Sequence, residues 1–468
     1  MKYFLSYLLT LFTFHSFAQE LKEPKIDERI ELLSIVFRMA DSEEYSAQSY
    51  KYYTDRIYNH FEPYKNHELM NFIKELRNTH SVGYDAVMAM AINIGPSPNF
   101  EPLQPFNSQI PDSRWSKDRA MEFLTLLKKF YTDANCEAFF RQNRDLYIDA
   151  AKQYLPIYNK IDVAWYEEFY GNKPDEDYNI ILGLGNGYGN YGPRLDIPGQ
   201  KKEVYAILGA SAPDTLTLPQ YSIDTNFPTL LHEFNHSFVN YFPHKYASQM
   251  KGAAKMYKKV STQMQTQAYA SWQTMYNESL VRAAVIKYMK DHQFEQSAID
   301  AEVLEQLNRG FIWINDLVAE LENYDDNRKQ YPTLESYSPN LILFFNKWAK
   351  EINTKKKEFD KRKPKVISIE EFKNGSNNVS ASLKTITIVF DRPLLAKGIS
   401  IHYGDKGQEY FPKITKRPVY SDDHKKLTID VDLLPGKEYQ LVLTGRHLKS
   451  EDGIGMDDYE VLFKTSKE

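Results

Sequence analysis

The chain of 468 residues contains one cysteine, Cys136. A lone thiol cannot close an internal disulfide, so stability has to come from packing and ligation. Nothing beside Cys136 resembles a cysteine-protease signature, and it reads as a buried structural thiol. Long apolar runs are also scarce. After Tyr3 to Phe14 no stretch approaches the about 20 residues that span a bilayer, so no transmembrane segment is expected in the mature chain. Charge of one sign is lacking too. Lys and Arg number 58 against 63 Asp and Glu, a net charge of −5, and no basic run is concentrated enough to suggest a nucleic-acid partner. There is no internal repeat or low-complexity tract. A hydrophobic content of 42% with 14% aromatics excludes a disordered chain.

The ends of the chain are legible by composition. Lys2, the apolar run to Phe14 and the small-x-small Ser16-Phe17-Ala18 before Gln19 read as a signal peptide over residues 1–18. Export to the periplasm, the cell surface or the medium follows from that reading. Without a cysteine directly after the apolar run, a lipoprotein anchor is not indicated.

The informative motif is His232-Glu233-Phe234-Asn235-His236, an H-E-x-x-H run. Around it Phe227, Leu231, Phe234, Phe238 and Phe242 recur at spacings of three and four, the stripe of an amphipathic helix. At about 100° per residue, His232 and His236 point roughly 140° from the middle of that stripe. They stand one turn apart on one face, where both imidazoles can reach one ion. Glu233 is placed to take a proton from a water there. Asp224 or Thr225 is expected to cap this helix, with Pro228 in its first turn and Pro243 just past its end.

A third ligand decides the subclass. The metzincin pattern needs Gly and His where the chain has Val239 and Phe242, so that subclass is excluded. His244 follows Pro243 at no recognised spacing. Glu278 is the better candidate, because as a helix its segment puts this carboxylate in an apolar stripe with Met275, Val281, Val285 and Met289. Burial there is costly unless the carboxylate is paired or bound to a metal. Arg282, one turn on, offers an ion pair as the alternative partner.

With Asn277-Glu278 placed 42 residues after His236, the set from Asp224 to Ala284 resembles the gluzincin metallopeptidases of the thermolysin-like clan. The resemblance implies one Zn²⁺ held by His232, His236 and Glu278, with Glu233 as general base. Asn277 and Arg282 would then be supporting or substrate-contacting residues, and the substrate a peptide or protein. The flanking sequence is more similar to a secreted bacterial family of domains of unknown function. Two alternatives remain open: a non-catalytic exported protein that holds a peptide or glycan with a zincin fold, and a hydrolase of a non-peptide amide or ester. His292, Tyr324 and Tyr337 are the downstream candidates for stabilising an oxyanion.

The rest of residues 19–363 reads as the body of a zincin-like α+β domain, mainly helical with a small sheet. Helices are expected over 26–40, 121–130 and 139–158, and through 284–352. A prodomain within the first part stays open. His67 and His80 lack partners at metal spacing and read as surface or capping residues. Tyr178 to Leu184 and Val204 to Gly209 read as strands around the glycine-rich run from Gly185 to Gly192. That run is expected either to lie beside a substrate-pairing edge strand or to form a flexible hairpin.

The charged stretch from Lys355 to Pro364 marks a boundary, after which short β-rich runs follow at Val366, Lys384, Ile399, Leu427, Glu438 and Tyr459. With Leu434-Pro435-Gly436 before Tyr439, and Asp452 and Gly455 leading to Phe463, residues 364–468 resemble the bacterial Ig-like β-sandwich domains. The resemblance implies a spacing or docking module.

Overall fold

Local sequence accounts for several helix starts in the computed structural model, which describes residues 21–172, 176–239, 242–267 and 269–467. The expected signal peptide, residues 1–18, lies outside the described residues. Helix α1 (Glu28–Met39) begins where the Asp27 carboxylate accepts the Arg29 N–H at 3.0 Å, satisfying a donor the helix itself cannot. Then follow α2 (Glu43–Ser46), α3 (Lys51–Phe61), α4 (Glu68–His80), α5 (Asp85–Ile92), α6 (Lys117–Asp133), α7 (Cys136–Tyr158) and α8 (Val163–Tyr170). His67 caps α4 by accepting the Leu69 N–H at 3.1 Å, and the His80 ring hydrogen-bonds the Thr79 hydroxyl. Cys136 is fully buried, and burial pushes its thiol far up from the ordinary range.

A three-stranded sheet comes next, of β1 (Glu176–Gly183), β2 (Arg194–Leu195) and β3 (Lys202–Gly209), in the order β1-β3-β2. The glycine-rich run does not make a hairpin. β1 and β3 pair in parallel, Glu176 with Lys202 through Gly183 with Gly209, and parallel neighbours need a crossover instead of a tight turn. Residues 184–201 supply it and return Arg194 and Leu195 antiparallel against β3. The free side of β1 is covered by the N-terminal segment, with Leu182 N–H donating to the Lys25 carbonyl at 2.9 Å. Helix α9 (Ile223–Val239) follows.

The chain divides into two compact units, Met1–Asn240 with Pro332–Glu335, and Tyr241–Tyr331 with Ser336–Glu468. In the first, α1, α3 to α7 and the sheet share one core, including Ile30, Val36, Phe37, Ile57, Phe123 and Ile207. The second opens with α10 (Phe242–Tyr246), α11 (Lys251–Gln265), α12 (Trp272–Asp291), α13 (Gln296–Asn308), α14 (Ile314–Asp326) and α15 (Ser338–Asp360). Within it α12 packs on α14 and α11 on α15, and the buried Trp313 indole donates to Ser279 Oγ at 3.0 Å.

After α15 the period switches to β: β4 (Val366–Ile369), β5 (Thr385–Phe390), β6 (Ile401–His402), β7 (Lys413–Ile414), β8 (Val419–Tyr420), β9 (Lys426–Asp432), β10 (Glu438–Leu443) and β11 (Tyr459–Lys464). One sheet runs β4-β5-β9-β7 with β8 also on β9, and the other β11-β10-β6, all antiparallel. Alternate residues point inward, and Ile386, Ile388, Leu427, Ile429, Leu441 and Val461 form a single core. Mixed α+β is therefore the architecture. No helix among the described residues is long and apolar enough to cross a membrane.

The glycine-rich crossover is tied down from α1. Gly187 turns it at φ +63°, a conformation that favours glycine. The fully buried Glu31 carboxylate accepts the N–H groups of Leu184 at 2.6 Å and Gly185 at 3.1 Å. Ser34 hydrogen-bonds Asn186 at 2.6 Å, and Arg38 donates to the Gly185 carbonyl at 3.1 Å. Burial pushes the Glu31 carboxyl up to about 7, against hydrogen bonds from Tyr53, Leu184 and Gly185 and the Arg38 charge. The folded state therefore binds a proton that the unfolded chain has released, and this contribution to stability is full below the ordinary carboxyl value of 4.5 and lost as pH rises to about 7. Glu31→Gln is expected to flatten that fall by up to about 3 kcal/mol, read as the difference in unfolding free energy between the two ends of the window. Urea unfolding of both proteins across that pH range measures it, and parallel profiles would refute it.

Candidate metal centre

Helix α9 is held along one side by aromatic rings. Phe234 sits 4.4 Å from Tyr166 and 4.4 Å from Tyr178, nearly perpendicular to each, and Phe238 stacks on Tyr170 at 4.3 Å. These are favourable edge-to-face and stacked arrangements. Phe227, Leu231, Phe234 and Phe238 are buried, as their spacing predicts, whereas Phe242, expected on the same stripe, is buried on α10. Asn235 is fully buried on the same helix and accepts the Tyr170 hydroxyl at 2.7 Å. The helix start differs from expectation. Ser222 makes the cap, its hydroxyl accepting the Thr225 N–H at 3.2 Å, and with α9 opening at Ile223 Pro228 falls inside the helix instead of in its first turn. Pro228 has no N–H to give the Asp224 carbonyl and its ring crowds that carbonyl, so α9 forgoes one backbone hydrogen bond at this turn.

His232 and His236 are half-buried and bring their Nε2 atoms to 3.2 Å, with the rings at 86° to one another. Two nitrogens each about 2.05 Å from one tetrahedral ion stand about 3.3 Å apart, so the pair has the spacing of two ligands of a single zinc. Glu233 is half-buried on the next position. Gly192, at the end of the crossover, lies so close that a Cβ there would stand 2.9 Å from Glu233 Oε2. The glycine-rich run thus approaches the carboxylate as backbone alone. Arg194 of β2 donates to the His236 carbonyl at 3.0 Å and to Glu176 at 3.0 Å, joining the sheet to the last turns of α9. Tyr178 is buried beneath the helix, and burial together with the Glu233 charge raises its hydroxyl well above the ordinary range.

In the second unit, Glu278 is buried on α12 among Met275, Val281, Val285 and Met289, as the stripe predicts. Arg282 Nη2 donates to its Oε2 at 3.0 Å. The same guanidinium donates to the Tyr269 hydroxyl at 2.6 Å and to Gln306 at 2.7 Å, with its Cζ 5.1 Å from the centroid of the Phe311 ring. Burial opposes the Arg282 charge, but Glu278 and Tyr269 outweigh it and hold the guanidinium protonated. Burial and the Glu278 carboxylate push Tyr269 up to about 12. The Oδ1 atom of Asn277 is buried without a hydrogen-bond partner among the described residues.

The profile of a family described as a domain of unknown function, DUF4932, matches residues 24–344. The chain belongs to this family. The matched span takes in both His residues, Glu233 and Glu278 and stops before the β-rich segment. No curated protein matches the sequence. Among solved structures, the S-layer protein SbsC aligns at 14% identity over 86% of this chain and 46% of that one, with a TM-score of 0.17. The N-terminal part of SbsC aligns at 12% identity over 84% and 79%, with a TM-score of 0.18. The chain thus spans less than half of the first of these, and likenesses at such scores carry no argument.

Of the downstream oxyanion candidates in this DUF4932 protein, Tyr337 donates to Glu320 at 2.6 Å and receives the Asn323 amide at 2.6 Å. His292 stacks on Tyr288 at 3.8 Å, and Tyr324 is buried. Tyr170 and Asn235 are positioning residues that spacing did not reveal, because their bond joins helices 65 positions apart. Tyr170→Phe removes the hydrogen bond to the buried Asn235 oxygen and is expected to cost about 0.5–1.5 kcal/mol of stability, readable by urea unfolding. A change within error would show that the Tyr170 hydroxyl does not help hold α9.

Proposed function

We propose that this DUF4932 protein is an exported zinc-dependent hydrolase, with peptides or proteins as its substrate class. The observation that carries the reading is the 3.2 Å approach of the His232 and His236 Nε2 atoms beside Glu233. Among the described residues, His232, His236 and Glu278 are the group of His, Cys, Asp and Glu side chains that could hold a metal ion. Two imidazoles and one carboxylate suit Zn²⁺ with a position left open, the donor set of catalytic rather than structural zinc. Glu278 would be the third ligand through the oxygen that Arg282 does not take, and Arg282 would orient it.

Zinc in such a site acidifies a water and polarises a carbonyl. Glu233 takes the proton from the attacking water and passes it to the leaving amine nitrogen as the C–N bond breaks, so the acid and base roles fall to one carboxylate. Gly192 lets the backbone of the crossover lie against that carboxylate, where a side chain would collide with it. Residues 19–363 form the zincin-like domain in this reading, and residues 364–468 an Ig-like sandwich that docks or spaces it. The signal peptide over residues 1–18 accounts for export.

Metal analysis by mass spectrometry tests the ligands. The purified protein is expected to carry about one zinc per chain, lost in His232→Ala and Glu278→Ala and kept in Glu233→Gln. On a peptide library Glu233→Gln should lower turnover about 10²–10⁴-fold without unloading the metal. A wild-type protein that takes up no zinc at neutral pH would reject the reading and favour a non-catalytic binding protein. Zinc uptake with undiminished cleavage by Glu233→Gln would remove Glu233 as the base.

A further inference from the structure

Six cationic side chains, Lys259, Arg309, Lys356, Lys363, Arg446 and Lys449, line one cleft of about 680 Å³ in the second unit. It lies where α11, α13 and α15 meet the β-rich segment, and its volume is in the range of small-molecule sites. Three carboxylates, Glu305, Asp457 and Asp458, share the lining, so the cleft is positive by three charges on a chain whose net charge is −5. Part of that charge is neutralised. Arg309 pairs with Glu305 at 2.8 Å, Lys363 with Asp457 at 2.6 Å and Lys356 with Asp360 at 2.7 Å. Lys259, Arg446 and Lys449 have no carboxylate partner among the described residues.

The walls are fixed to each other. Gln263 of α11 donates to the Asn308 carbonyl at 2.8 Å, and the Asn308 side chain bridges the β-rich segment, donating to the Gly453 carbonyl at 3.0 Å and accepting the Gly455 N–H at 2.8 Å. Arg362 adds an ion pair to Asp452 at 2.8 Å. Cations crowded on a preformed concave surface repel one another, and an anion that bridges them removes that repulsion while supplying charge-assisted hydrogen bonds. Arg446 offers the planar fork that matches phosphate or carboxylate, and the two lysines offer point charges.

We propose that this cleft binds a small ligand carrying two or more anionic groups, phosphate or carboxylate, independently of the candidate metal centre. Isothermal titration of the full chain with fructose 1,6-bisphosphate, with tricarballylate and with fructose as neutral control tests it. Saturable binding is expected for at least one of the two anions and none for fructose, and the preferred anion identifies the ligand group. Affinity should fall about tenfold or more in Arg446→Ala/Lys449→Ala, weaken with added salt and stay unchanged in His232→Ala. Arg446 is exposed and Lys449 half-buried, so circular dichroism of the double variant should match the wild type. Absence of saturable binding at millimolar concentration, or equal binding by the double variant, would overturn the proposal.

Discussion

Phe234 and Phe238 lock the rotation of α9, and that rotation decides where His232 and His236 face. Their rings are wedged between Tyr166, Tyr170 and Tyr178, which come from α8 and β1. A helix seated this way cannot turn without breaking several ring contacts and the Tyr170–Asn235 hydrogen bond together. The two imidazoles are consequently fixed as a pair by packing on the opposite side of the helix.

The same logic runs through the first unit. Glu31 and Arg38 are buried polar groups on α1, and both spend hydrogen bonds on backbone groups of the glycine-rich crossover. A buried carboxylate that accepts two main-chain N–H groups is costly to place and costly to remove, so it defines one path for the loop. That path ends with Gly192 against Glu233. Backbone conformation near the candidate base therefore depends on a charge network whose members lie about 150 residues earlier in the chain, at separations of 153 and 154 positions.

Glu278 poses the parallel problem on α12. Its carboxylate is buried in an apolar stripe, and Arg282 answers part of the desolvation cost while itself resting on Phe311, Gln306 and Tyr269. An arginine so surrounded is a rigid donor that fixes the direction of the acid it holds. The ion pair and the proposed ligation are compatible, because a carboxylate has a second oxygen.

Periodicity alone determined the amphipathic α9, the alternation of β5, β9 and β10, the shared face of His232 and His236, and the apolar stripe that holds Glu278. These are short-range properties: a spacing of three or four, or of two, dictates which side chains share a face wherever the segment ends up. Only the tertiary structure decided the parallel pairing of β1 with β3, the Tyr170–Asn235 bond and the gathering of Lys259 with Arg446 and Lys449 on one cleft. Each of those joins residues whose proximity no local pattern encodes. Even a cationic cluster escapes a reading of charge along the chain when one member, Lys259, stands more than a hundred positions from Arg446 and Lys449 and meets them only through folding.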